Sequence, residues 1–388
     1  MAEGMSNEIE EILTDPELFL RITEGELSKV IVKEELTTKA IFLSLCAAFV
    51  QGAQVNTLVN SESSAGKSYI SRKIFEIMPE RIREDYTKIS PEALTYLHNS
   101  NFEPDWTWNG KILYVEDARK ELLDSPTFKV MCSEGSKAAV VINYRTIEIP
   151  INGKPCVLLT TASNYIQNEI FNRFNVISLD ESVEQTKAIM EREALLDSGE
   201  NRKKEWQIDE NIPEALSKLN RVKVDIPFAP KIVKHFPHTF LRIRRDFGRF
   251  RQLIKASCAL HQYQRVTTED ENTGEPIYIA DKKDYEIARM IFPKICGQVF
   301  NLSHKQKRAW QECKRYVQNG GNNPFEFKEI RSYAPIASEK TWREWLDVFA
   351  ERGLIEISAR ENERGRDVTL YHVLPENLVE YLPEWDDL

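Results

Sequence analysis

The stretch SESSAGKS, residues 61–68, constrains this chain more than any other. It follows VNTLVN, a β-branched run, and precedes YISRKIFEIM, whose apolar residues recur at helical spacing. A strand, a tight turn ending in glycine, lysine and serine, and then a helix is the arrangement that grips a polyphosphate. Backbone N–H groups and the positive helix end surround the phosphates, Lys67 reaches the outer ones, and Ser68 holds magnesium. The usual pattern opens on glycine, and here Ser61 stands in that place. That first residue chiefly makes the turn tight, so serine can replace it where the dihedrals stay allowed. The expected nucleotide-binding set is Ser61, Ser64, Ala65, Gly66, Lys67, Ser68 and Tyr69, with ATP and Mg2+ as ligands.

A second motif, KILYVEDARK, occupies residues 111–120. Four apolar residues, Ile112 to Val115, lead directly into Glu116 and Asp117. A buried strand that ends so can deliver acids beside the phosphates. One acid helps hold Mg2+ and the other orients or activates the attacking water. The usual order is aspartate then glutamate; here it is reversed, and which acid does which job stays open. Taken alone, the same residues would read as a strand ending in two solvated acids, and the GKS stretch upstream is what gives them chemistry. The metal set is Ser68, Glu116 and Asp117. Further on, CVLLTTASN ends in Thr160, Thr161, Ser163 and Asn164, and NEIFNRFNVISLDES sets Arg173 in a helix-to-strand turn. An arginine so placed either sits in an ordinary salt bridge or reaches a neighbouring subunit's phosphate.

Organisation follows from texture. Residues 1–52 read as a helical extension, and 53–180 as short β-rich runs separated by helices, the pattern of a parallel sheet covered on both faces. Residues 181–220 are charged and helical in composition, FLRIRRDFGRFRQLIKASCALHQYQRV reads as a long basic amphipathic helix, and TTEDENTGEP reads as a loop. The last part, 301–388, looks separate. The chain has a net charge of −9, so it is not a polycation that coats nucleic acid, although a local basic surface can still bind phosphates. Its six cysteines are scattered singly with no C-x-x-C pair, which argues against a disulfide framework or a zinc site and suits a reducing cytoplasm. No apolar run reaches the roughly 18 residues that a membrane span needs, and the acidic start MAEGMSNEIEEIL lacks the order of a secretory signal.

In this order, SSAGKSYI, ILYVED, VLLTTAS, NRFNVISLDESVEQTKAI and RRDFGRFRQLIKASCALHQYQR resemble the AAA+ ATPases. Within them the chain is most similar to the minichromosome-maintenance-like and primase-associated helicases of phages, plasmids and integrative mobile elements, over roughly residues 10–295. The resemblance implies an α/β fold: a P-loop ATPase core at 53–220 after the helical extension at 1–52, then a helical lid at 221–300. It also implies that Thr161 or Asn164 touches the γ-phosphate or the water, that Arg173 is an arginine finger, and that Arg245 or Arg249 completes a neighbour's nucleotide pocket. A homo-hexameric ring on single-stranded or forked DNA is the implied assembly.

Two further segments bear on DNA. SKAAVVINYRTIEIPINGKP reads as a β-hairpin tipped near Asn143, Tyr144 and Arg145. In the helicases it resembles, a hairpin at this place projects into the ring's pore. Lys137, Tyr144 and Arg145 then offer phosphate contacts and a stacking face, whereas a plain edge hairpin would only protect the sheet. Residues 301–388 read as a winged helix, with Ser338 capping a helix whose Trp342, Trp345, Leu346 and Phe349 form a core stripe. Lys340, Arg343, Arg360, Arg364 and Arg366 could meet DNA, yet interleaved acids suit protein docking equally. The leading expectation is an ATP-dependent DNA helicase or translocase, with any primase, polymerase or initiator as a separate partner. The alternatives are an AAA+ switch, such as a loader or transposition regulator, and a nucleotide-assembled initiator that binds a defined DNA sequence.

Overall fold

Four of the apolar runs become strands of one sheet: β1 (Asn56–Asn60), β3 (Ile112–Val115), β6 (Cys156–Thr161) and β7 (Asn175–Ile177). A fifth strand, β2 (Arg83–Tyr86), completes the order β2-β3-β6-β1-β7, and every pairing is parallel. The structure is a computed structural model that describes residues 6–61, 66–98, 103, 105–133, 136–142, 144–161, 170, 173–198, 207–236, 243–295, 302, 304–351, 354–361, 367–374 and 382–388. All residues of β3 and β6 are buried. Leu113, Val157 and Leu159 enter a core with Trp108, Phe128 and Phe174, while Ile112, Tyr114 and Leu158 enter the other with Phe42, Phe75 and Phe250. Burial on both faces is why these strands read as unbroken apolar runs. Strand β2 has the sequence REDY and lies at the sheet's edge, where polar side chains are tolerated.

The helices needed below are α1 (Asn7–Thr14), α2 (Glu35–Cys46), α3 (Lys67–Glu76), α4 (Pro126–Met131), α5 (Val183–Asp197), α6 (Ile243–Leu260) and α7 (Lys282–Ile295). Helices α1 and α2 share one hydrophobic core with α6 and α7, so the N-terminal helices cover a face of the sheet. The stretch around TTEDENTGEP, expected as a loop, instead holds β9 (Thr267–Glu269) and β10 (Pro276–Ile279), which pair with β8 (Lys223–Asp225) in a small sheet. Short, fully exposed strands such as TTE carry no apolar alternation to announce them.

Residues 304–374 have their own core around Trp310, Trp342, Leu346 and Phe349. Helices α8 (His304–Gln318), α9 (Phe327–Tyr333) and α10 (Glu339–Glu351) accompany the antiparallel sheet β11 (Phe325–Glu326), β13 (Asp367–Val373), β12 (Ile355–Glu361). Ser338 does cap α10, its hydroxyl accepting from the Thr341 N–H at 3.2 Å. The chain then returns to α7: Trp385 packs on Phe228 and Tyr285, and Arg289 pairs with Glu384 at 2.7 Å. No helix among the described residues is long and apolar enough to cross a membrane.

One buried polar cluster ties the N-terminal helices to α6 and α7. His261 is fully buried; its Nδ1–H meets the Ser257 carbonyl at 2.9 Å, and its Nε2 accepts from the Phe19 N–H at 3.4 Å. Those partners fix the neutral tautomer. Asp284, also fully buried, accepts from the Ser257 hydroxyl at 2.6 Å and twice from Arg265 at 2.7 Å. Burial first, then the Arg265 charge, pull the His261 pKa down to about 4. A folded pKa below the ordinary value means that stability is full above about pH 6.5 and is lost as pH falls toward 4, by about 3 kcal/mol. Melting temperatures measured between pH 7.5 and pH 4 should therefore drop, and His261→Gln should flatten that acid limb; an unchanged limb would refute this account.

Candidate nucleotide site

Gly66 opens α3 with φ of +83°, in the left-handed region where glycine is favoured. An added Cβ there would meet nothing within 4 Å, so the demand comes from the backbone alone. Lys67 is 9% exposed and donates to the Ser61 carbonyl at 2.8 Å. Burial lowers its pKa, opposed by the charges of Glu181 and Asp117. A partly dehydrated cation between the loop's entry and its helix is well placed for outer phosphates. The Ser61 hydroxyl donates to Glu181 Oε1 at 2.9 Å, tying the loop's first residue to the segment after β7, a bond that glycine could not make. Tyr69, half exposed, donates to the Val30 carbonyl at 3.0 Å. Ser64 and Ala65 lie outside the described residues.

The two acids diverge. Glu116 accepts from Arg72 Nη2 at 2.8 Å and bonds the Ser68 hydroxyl. Its pKa is lowered, first by the Arg72 hydrogen bond and then by Ser68, so it stays ionised. Ser68 and Glu116 together form an oxygen pair that can hold a divalent cation. Asp117 adopts φ of +54°, strained for a non-glycine residue, and its charge acts on Lys67 through space, after that of Glu181. Its N–H donates to Thr160 Oγ1 at 3.0 Å, the Ala118 N–H donates to the Thr160 carbonyl at 2.7 Å, and the Thr161 hydroxyl donates to the Ala118 carbonyl at 3.2 Å. Both threonines thus fasten the acid-bearing turn to β6; Ser163 and Asn164 lie outside the described residues. Arg72 was missed in the sequence, although it stands one helical turn after Ser68, on the same face of α3. It also lies over the Tyr114 ring at 5.3 Å and reaches Asp85 at 3.4 Å.

Beside Gly66 and Tyr69 lies a cavity of about 700 Å3 lined by Ile31, Val32, Ile70, Ile189 and Met190. Its apolar walls next to a phosphate loop suit a flat heterocyclic base. In the sequence the signal for this cavity is the apolar run VIV at 30–32.

Arg173, Arg245 and Arg249 converge on a different cavity, of about 630 Å3, with Lys154. Arg173 donates to the Lys129 carbonyl at 2.8 Å and to the Ser133 hydroxyl; Arg249 donates to the Phe174 carbonyl at 2.9 Å and pairs with Asp246 at 3.2 Å. Arg245 is exposed and forms no ion pair among the described residues. Asn56 and Asn175, the first residues of β1 and β7, line this cavity, whereas the phosphate loop follows the last residue of β1. The two sites therefore lie about 16 Å apart along the strand direction, at opposite ends of the strands.

The hairpin is present as β4 (Ser136–Ile142) and β5 (Arg145–Ile151), with Ile142 opposite Arg145. Tyr144, at φ of +63°, is fully exposed at its tip, beside exposed Arg145. Asn143 and the side chain of Lys137 lie outside what is described. In α10, Lys340 is exposed, but Arg343 pairs with Glu339 at 3.1 Å and lies over the Phe327 ring at 4.2 Å; Arg360 approaches Glu326 at 3.9 Å. Arg364 and Arg366 lie outside the described residues.

A parallel sheet whose first strand runs into a glycine–lysine–serine turn and helix, with acids at the end of β3, defines a P-loop domain, a nucleotide-binding fold. The family model of the MTBMA_p00010 P-loop domain matches residues 3–214, more than half of the chain, and the chain belongs to that family. No curated protein matches it. Lys67→Ala should abolish ATP binding measured by titration calorimetry, because it removes the cation on the outer phosphates; retained affinity would dismiss this loop as the site.

Proposed function

We propose that the chain is an ATP-driven, ring-forming DNA helicase or translocase acting in the replication of a virus, plasmid or other mobile element. The observation that carries this reading is the separation of the arginine cavity from the phosphate loop. Arg173, Arg245 and Arg249 sit at the wrong end of the strands to serve their own chain's phosphates, but a second copy packed head to tail would bring its loop to them. Transition-state charge on the transferred phosphoryl group would then be met by a neighbour's guanidinium. Repetition of such a head-to-tail contact closes a ring when the rotation allows, and a hexamer is the expected ring.

Within one chain, Lys67 would hold the outer phosphates, and Ser68 with Glu116 would hold Mg2+, which when bound neutralises phosphate charge. On this reading Asp117 orients the attacking water and takes its proton: Glu116 is engaged by Arg72 and Ser68, while the Asp117 backbone is fixed by Thr160 and its charge acts on Lys67. The reversed order of the acids would thus preserve the usual division of labour by position. The exposed hairpin supports a DNA-gripping role for Tyr144 and Arg145, stacking on bases and contacting phosphates. Helices α6 and α7 would form the lid, and the run α8, β11, α9, α10, β12, β13 has the element order of a winged helix.

Asp117→Asn should keep Mg2+-dependent ATP binding yet slow hydrolysis by about 100-fold or more, the range for losing a positioned base; loss of binding instead would place Asp117 at the metal. Single-stranded DNA should stimulate hydrolysis, and Tyr144→Ala with Arg145→Ala should remove the stimulation. Hydrolysis indifferent to DNA would favour the switch that regulates a protein partner. Arg173→Ala should bind ATP but hydrolyse it poorly, and mixing it with Lys67→Ala protein should partly restore turnover. No recovery on mixing would sink the shared-site claim.

A further inference from the structure

Helix α8 carries five cations, Lys305, Lys307, Arg308, Lys314 and Arg315, against a single acid, Glu312, in a chain that is acidic as a whole. Trp310 and Cys313 turn into the core of the C-terminal domain and are fully buried. Lys307, Arg308, Gln311 and Arg315 are exposed on the opposite side, with Lys314 half-buried beside them. The helical repeat puts Lys307 with Arg308, and Lys314 with Arg315, two turns apart on that side, about 10 Å along the axis. That spacing matches about three nucleotide steps along one strand of a duplex. Lys307 and Arg308 form no ion pair among the described residues; Arg315 pairs with Glu312 at 2.8 Å. Among the described residues, the domain's other arginines are engaged elsewhere: Arg331 and Arg343 both reach Glu339, and Arg360 approaches Glu326. Helix α10 carries four acids, Glu339, Glu344, Asp347 and Glu351, against Lys340 and Arg343, so its surface repels phosphates on balance.

We infer that the outward side of α8, through Lys307, Arg308, Lys314 and Arg315, is a nucleic-acid backbone-binding surface, and that α10 is not the element through which this domain meets DNA. Such a surface grips phosphates and holds DNA without reading its sequence. Gln311, between the two pairs, adds an uncharged donor for a phosphate or sugar oxygen. This surface rests on the proposed function only in taking DNA as the partner, and it needs neither nucleotide nor ring.

The test is binding of the full chain, without nucleotide, to a labelled duplex oligonucleotide at salt concentrations from about 50 to about 200 mM. Replacing Lys307, Arg308, Lys314 and Arg315 by alanine should weaken binding and reduce the slope of log affinity against log salt by about two to four, near 0.9 for each phosphate no longer neutralised. Lys328→Ala with Arg331→Ala, a control on α9 that also removes positive charge, should leave the slope unchanged. An unchanged slope in the α8 variant, with native melting behaviour, would overturn the inference and leave the surface for an acidic protein. An equal fall in the control would also overturn it, because net charge alone would then explain the effect. The Tyr144→Ala, Arg145→Ala hairpin variant separates the two claims: if it abolishes binding while the α8 variant keeps it, the motor reading stands and this one falls. If the hairpin variant binds normally and the α8 variant does not, the converse holds.

Discussion

Thr160, at the end of the central strand β6, receives the Asp117 N–H on its hydroxyl and the Ala118 N–H on its carbonyl. Those two bonds bend the chain sharply after β3 and hold Asp117 in a left-handed conformation that it would rarely adopt unaided. Because β6 lies between β3 and β1, the same strand sets the height of the acids relative to the phosphate loop. A polar residue at this fully buried position is tolerated only because both of its groups are satisfied. The direction of the acid-bearing turn follows from how that strand end is pinned.

Charge around the loop is placed in pairs. Ser61 and Lys67 both engage groups that flank the loop, through Glu181 on one side and the Ser61 carbonyl on the other. Arg72 holds Glu116 ionised beside Ser68, and its own charge is shared with Asp85 on the edge strand. The result is a row of alternating charges, Asp85, Arg72, Glu116, along the strand ends, in which each ionised group is held by a neighbour rather than left to water. The departures from the common phosphate-loop pattern, a serine for glycine and exchanged acids, both lead to partners that the replacement residue can reach.

Much of the fold was legible because burial on both faces writes continuous apolar runs: ILYV, CVLLTT and NTLVN each became a strand where expected. The edge strand REDY and the strands of the 267–279 hairpin escaped notice because short strands that are exposed or only half-buried need no continuous apolar pattern. At the site, Gly66, Lys67, Ser68, Glu116 and Asp117 were legible since their spacing is local. Arg72, Glu181 and Lys154 were not, because each acquires meaning only through a partner distant in sequence: Glu116, Ser61 and Ser133. The three arginines were named separately, but their meeting in one cavity depends on α6 lying against the start of β1 and β7, which no local pattern encodes. The different surroundings of the two acids were likewise closed to the sequence, since they turn on the backbone dihedral of Asp117.

The return of residues 382–388 to α7 changes what covers that helix. These residues land on Tyr285 and Arg289, with Trp385 seated against Phe228 and Tyr285. Loss of this segment would therefore bare the rings of Phe228 and Tyr285 to water, so it acts as a plug on the core that α7 shares with α6.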